Sequence, residues 1–182
     1  MADLKLLINE FKDFMDTLKE TSRGGKNGNQ FLCESTELVY NFEKYVDFKE
    51  KIEKNSNFQR KRFDALYIDN DIVYCIEFKI EKFSDIDKRE IEEKLLDSFE
   101  ILKIVFNNLK IQIKNYIFIF FVIYKDINQY FDKRKNNDIG FALESRLNSL
   151  SKQKLPNLKI HNQVNCKSNF LPIYNQIFST KC

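Results

Sequence analysis

Apolar residues at Leu4, Leu7, Ile8, Phe11, Phe14, Met15 and Leu18 recur every three or four positions and predict an amphipathic helix over residues 3–20. The stretch 22–29 holds three of the four glycines and breaks it. Ser35 or Thr36 can cap a second helix that carries Leu38, Val39, Phe42, Tyr45, Val46 and Ile52. Residues 54–59 are polar and read as a loop. The pattern then changes period. Residues 62–69 are short, alternating and β-prone, Asn70-Asp71 is a turn signal, and residues 72–80 form a second apolar run, so the three predict a hairpin. Residues 85–109 carry Ile86, Ile91, Leu95, Phe99, Leu102, Val105, Phe106 and Leu109 and predict a long helix. Residues 116–124 are uniformly apolar, β-branched or aromatic, as in a strand buried on both faces. A helix over 141–152 and a strand over 158–164 complete the pattern. The expected fold is α/β, a mixed central sheet flanked by helices, in one domain. Its parts would be an N-terminal helix and Gly-rich loop (1–33), a core (34–164) and a basic C-terminal tail (165–182).

Composition narrows the chemistry. At 43% apolar and 14% aromatic, the 182-residue chain can bury a core. Its longest apolar run has nine residues, against the ~18 of a membrane span, so no membrane partner is expected. Acids inside the first apolar stretch argue against a secretory signal, and the chain is expected in the cytoplasm. One histidine, His161, and four widely spaced cysteines argue against a zinc site, a disulfide framework and His-dependent nucleophilic catalysis. The Gly-rich stretch lacks the spacing of a phosphate-binding loop. Ser145, Ser149 and Ser151 have no partner base, and the aromatics of 116–124 read as core. What is left is carboxylate, lysine and a hard metal ion.

Charge matters by position. The net charge is +3, but residues 125–182 carry ten basic and four acidic side chains, which leaves −3 on the first 124. A basic tail beside an acidic body suits a polyanion partner, and a Lys- and Asn-rich composition bias explains the tail equally well.

The hairpin carries the chemistry. Side chains alternate along a strand, so Glu77 and Lys79 share a face with Val73 and Cys75. Two charges at the end of such a strand need partners, because burying either alone costs several kcal/mol. Asp64, in the first strand, can lie across from them. Two carboxylates and a lysine are the parts of metal-dependent phosphodiester hydrolysis. Asp64 and Glu77 would hold Mg²⁺ (or Mn²⁺), with the Phe78 carbonyl as a further ligand. Lys79 would orient or help deprotonate the attacking water and steady the charge on phosphorus. Just upstream, Arg60, Lys61 and Arg62 either grip phosphate or form a solvated lead-in to the strand.

Asp64, twelve residues, then Glu77-Phe78-Lys79 resembles the PD-(D/E)XK, or restriction-endonuclease-like, nucleases. The resemblance covers about residues 34–124, and to 164 at its widest. It implies an αβββαβ core and a nuclease acting most readily on DNA, with RNA as the alternative, in restriction, repair or mobile-element biology. It also implies a homodimer or a specificity partner. It adds an acid from the preceding helix, for which Glu37 is the choice and Glu34 and Glu43 are rivals. It adds a polar residue on the following helix, Lys94 or Lys88, to contact phosphate. Phe63 departs from the family's frequent Pro. The first strand of the family's meander has no obvious counterpart and is expected near 31–33 or within 48–58. Two competing readings are a non-catalytic nucleic-acid-binding or scaffolding domain of the same fold, and an unrelated α/β protein whose Asp64, Glu77 and Lys79 form a structural ion-pair network.

Overall fold

The first helix ends sooner than its apolar spacing predicts. In the computed structural model, which describes residues 2–24, 30–54, 60–81, 83–125 and 133–178, α1 (Ala2–Phe11) gives way to a 3-10 turn at Lys12–Phe14. A short strand β1 (Met15–Thr17) and a one-turn helix α2 (Leu18–Thr21) follow. Asp16 and Thr17 offer the backbone a local alternative to helix. The Asp16 carboxylate accepts the Thr17 amide at 2.9 Å, and the Thr17 hydroxyl accepts the Glu20 amide at 3.2 Å. Leu7 and Phe11 bury on one face of the main sheet and Leu18 on the other. A chain that crosses the sheet edge in this way cannot be one straight helix.

Strands β2 (Arg23–Gly24) and β3 (Gln30–Phe31) pair as a separate ribbon. Residues 25–29 of the Gly-rich stretch, and 55–59 of the expected loop, lie outside the described residues. Residues 38–41 are a strand, β4 (Leu38–Asn41), where a helix is expected, and α3 begins only afterwards (Phe42–Glu53). Its cap is Asn41, whose side chain accepts the Lys44 amide at 2.9 Å, not Ser35 or Thr36. The reason is again a change of face: Val39 packs in one core and Phe42, Tyr45 and Val46 in the other.

From here the predicted elements appear in order: β5 (Ala65–Asp69), β6 (Ile72–Lys79), α4 (Lys88–Asn108), β7 (Ile117–Tyr124), α5 (Lys133–Lys154) and β8 (Lys159–Cys166). Asn70 closes the β5–β6 turn in the left-handed region, φ 55°, which Asn tolerates. Residues left as a basic tail instead form α6 (Lys167–Ile177). Its Phe170 and Tyr174, with Phe178 just beyond, recur at helical spacing and bury against Phe121 and Tyr67. Residues 179–182 of that tail lie outside the described residues.

The main sheet is mixed, in the order β1-β4-β5-β6-β7-β8. Neighbours are antiparallel from β1 to β6 and parallel from β6 to β8. Helices α1, α3, α4 and α5 cover one face, and α2 and α6 the other. The architecture is therefore α/β, a six-stranded sheet flanked by helices. Antiparallel β4-β5-β6 form a meander whose first strand lies in neither expected segment, and α3 stands between its first and second strands rather than ahead of it. Amides on the outer edge of β8 are taken by α5: Val164 donates to the Glu144 carboxylate at 3.0 Å and Asn162 to the Asn148 side chain at 3.2 Å. Cys75 is a buried thiol, and Cys33 is disulfide-bonded. Among the described residues no helix is long and apolar enough to cross a membrane.

Candidate active site

The β5–β6 ladder pairs Ala65 with Ile76 and ends there. Asp64 continues it with other groups. Its amide donates to the Ile76 carbonyl at 3.0 Å, and its carbonyl accepts the Phe42 amide at 3.0 Å. Its carboxylate accepts the Phe78 amide at 2.6 Å. These bonds set the Asp64 carboxylate against the end of β6. The preceding residue, Phe63, stacks on Phe42 with ring centroids 4.5 Å apart, and its amide donates to the Ser98 hydroxyl at 3.0 Å. A proline at 63 would lack that donor.

On β6, strand alternation places Glu77 and Lys79 on the face that α4 covers. Glu77 is 0% exposed. Helix α4 starts at an Asp87 cap, whose carboxylate accepts the Arg89 amide at 2.9 Å. It projects Glu90 and Lys94, one turn apart, toward the same point. Lys94 Nζ lies 2.7 Å from Glu77 Oε1 and 3.9 Å from Asp64 Oδ1. Lys79 Nζ lies 2.9 Å from Glu90 Oε1 and 3.3 Å from Glu77 Oε1. Asp64, Glu77, Lys79 and Lys94 thus lie together, joined by Glu90.

The charges do not balance. Asp64, Glu77 and Glu90 face Lys79 and Lys94, and the second oxygen of Glu77, Oε2, is buried with no hydrogen-bond partner. Burial, and then the charge of Glu77, push the Asp64 carboxyl well above its ordinary value against the pull of Lys94 and the Phe78 amide. Burial raises Glu77 beyond what Lys94 and Lys79 offset. Burial disfavours the charge on both lysines, but Glu77 and Glu90 at Lys79, and Glu77 and Asp64 at Lys94, outweigh it, so both pKa values rise. Burial would also raise Glu90; its bond and attraction to Lys79, helped by Lys94 and Lys61, bring it below its ordinary value. Glu77 and Glu90 therefore favour the protonated form of Lys79.

Two members of the cluster, Glu90 and Lys94, line a cleft of about 590 Å³ together with Glu43, Glu50, Arg60, Lys61, Arg62 and Asp97. The basic triplet is therefore at the site. Lys61 is paired with Glu93 at 2.6 Å, and Arg62 with Asp47. Arg60 makes no ion pair among the described residues. Glu37 is not brought to the site. Its amide donates to the Ser35 hydroxyl at 3.1 Å and its carbonyl accepts the Leu18 amide, which hold it at the start of β4. Glu34 is paired with Lys19 at 2.7 Å. Glu43, in the first turn of α3, lines the cleft, and its charge reaches Asp64. Lys88 sits over the Phe83 ring, 5.9 Å from its centroid, and is not among the residues lining the cleft. Glu90 is the residue the sequence reading missed. Its one signal is a Glu-x-x-x-Lys pair, with Lys94, flanking the buried stripe Ile91 and Leu95.

Among the described residues, no group of three or more His, Cys, Asp and Glu side chains is placed to hold a metal ion. Two carboxylates converge, Asp64 and Glu77, and the buried, unpartnered Glu77 Oε2 is an acceptor suited to a hard cation. The donor set present fits a divalent ion held partly by water. No protein-family model matches the chain, and neither does any curated protein or solved structure.

Proposed function

We propose that the chain is a divalent-metal-dependent nuclease of the restriction-endonuclease-like kind, hydrolysing phosphodiester bonds in DNA inside the cell. The observation that carries the reading is a wholly buried Glu77, one oxygen unpartnered, beside the part-buried Asp64 carboxylate and next to a cleft lined by four basic and four acidic side chains. A protein that needed only stability would neutralise or remove such charges. Asp64 and Glu77 would hold Mg²⁺ or Mn²⁺, with the Phe78 carbonyl as a further ligand. Bound there, the ion would polarise the phosphate and lower the pKa of water.

The chain's own groups do the rest. Lys79, held by Glu77 and Glu90, keeps its ammonium toward the scissile phosphate and steadies the added negative charge. As water adds to phosphorus, one P–O ester bond breaks, and the departing oxygen takes up a proton. Lys94 and Arg60 face the backbone phosphates from the cleft walls, and Lys61 and Arg62 fix its rim. Cutting both strands of a duplex would take a homodimer or a specificity partner.

A second reading has its own support: every ammonium at the site already has a carboxylate within 4 Å, as in a structural network or a non-catalytic binding domain of this fold. Thermal melting with and without millimolar Mg²⁺ or Mn²⁺, in wild type and Asp64→Asn, separates the two. Cleavage assays on duplex DNA, single-stranded DNA and RNA run alongside. Metal should raise the melting point of wild type only and support cleavage. No metal shift and no cleavage of any substrate would move the assignment to the binding domain.

A further inference from the structure

The metal-dependent reading leaves one contact unexplained: a lysine from α4 stands between the two carboxylates proposed as ligands. Lys94 Nζ is 2.7 Å from Glu77 Oε1 and 3.9 Å from Asp64 Oδ1. Lys79 also reaches Glu77, at 3.3 Å, but it shows no ion pair with Asp64. The two lysines differ in how they are held. Lys79 rises from a central strand and is gripped by both Glu77 and Glu90. Lys94 lies on a helix and lines the open cleft. Its four-carbon stem can swing outward without any movement of the backbone. A fallback partner stands one turn back on the same helix, Glu90, 3.9 Å from Nζ.

We propose that Lys94 is a resident counter-cation, displaced by the divalent ion from between Asp64 and Glu77 and released to bind a backbone phosphate in the cleft. The inference rests on the metal-dependent reading and adds a coupling to it. A buried and a part-buried carboxylate side by side need a cation, and without metal that cation is the Lys94 ammonium. When the ion enters, the ammonium loses its best partner and turns to anions in the cleft. Metal and phosphate therefore favour each other's binding, and the metal alone binds weakly because it must evict a charge. Lys94 thereby has two roles in sequence, as a placeholder and then as a phosphate contact.

The test is equilibrium Mn²⁺ binding without nucleic acid, read by the free Mn²⁺ electron-spin signal and by calorimetry. The proteins are wild type, Lys94→Met, Lys94→Arg and Asp64→Asn. Lys94→Met should bind Mn²⁺ about tenfold more tightly than wild type, because the competing charge is gone. Lys94→Arg keeps a charge and should stay close to wild type. Should Lys94→Met fail to fold, Lys94→Gln carries the same comparison with a polar head. Equal affinity in wild type and Lys94→Met overturns the placeholder role while leaving the nuclease reading standing. Equal tightening by Arg and Met also overturns it, since charge is then not the cause. No Mn²⁺ binding by any of the four, together with no cleavage, overturns both.

Discussion

At β1 the Asp16 carboxylate has all the donors it needs: Lys44 Nζ at 2.6 Å, the Thr17 amide at 2.9 Å and the Asn41 side chain at 3.3 Å. Burial would raise its pKa, but those bonds more than offset it, and the carboxyl lies below its ordinary value. At the end of β6 the same residue types come out the other way. Asp64 and Glu77 are both pushed up, although two lysines stand within 4 Å. The difference lies in position and number. Asp16 is a single acid on an edge strand, with a lysine 65% exposed. The other cluster packs Asp64 and Glu77 under α4, which adds Glu90, and leaves one carboxylate oxygen unpartnered. One arrangement is satisfied as it stands. The other sets three carboxylates against two lysines and leaves the buried Glu77 Oε2 without a partner.

Catalysis should separate the two clusters most. Lys79→Met should lower metal-dependent cleavage by roughly 10²–10⁴-fold, while Asp16→Asn leaves the rate unchanged. Rates on a duplex oligonucleotide check this, and equal losses from both substitutions would count against the assignment.

Stability without metal comes next. Lys94→Met strips buried Glu77 of its nearest cation and should cost about 3–5 kcal/mol. Lys44→Met at the exposed pair should cost about 0–1 kcal/mol. Urea unfolding reports both, and a small loss at Lys94 would show that the cluster reorganises easily.

Removing the acids should reverse the order. Asp64→Asn keeps the acceptor for the Phe78 amide and relieves repulsion from Glu77, so it should be neutral or stabilise by about 1 kcal/mol. Asp16→Asn should destabilise by about 1 kcal/mol. Should Asp64→Asn destabilise like Asp16→Asn, the buried cluster is a structural ion-pair network.

The pH dependence is the finest test. The folded pKa of Asp64 lies above its ordinary value of 3.8, so the folded state binds the extra proton. Its cost to stability is absent below that value and grows as pH rises through the folded pKa. Asp16 has the opposite sign: its contribution is present above 3.8 and is lost as pH falls through its lowered folded pKa. Melting from about pH 4 to about pH 8 should therefore show wild type losing ground to Asp64→Asn as pH rises. Parallel curves would mean that Asp64 is not perturbed.

Much of this site is legible in the chain. Alternation put Glu77 and Lys79 on one face, and a turn signal put Asp64 opposite them, because both rules are local. Glu37 lies away from the cleft because the helix expected to carry it starts after Asn41, not at Ser35 or Thr36. With Asn41 as the cap, Glu43 moves into the first turn beside the cleft. Glu90 escaped notice because Glu and Lys one turn apart on a helix read as an ordinary solvated pair.

The order of β5, β6, α4, β7, α5 and β8 was determined by sequence alone, since period, turn chemistry and apolar runs act over a few residues. The first 42 residues were decided by tertiary structure. There the spacing of Phe14, Met15 and Leu18 suits a helix, yet burial on opposite faces of the sheet requires the chain to cross it. The electrostatics of the cluster were decided in the same way. Which lysine stands between Asp64 and Glu77 depends on how α4 docks over β6, a contact between distant segments that no local pattern encodes.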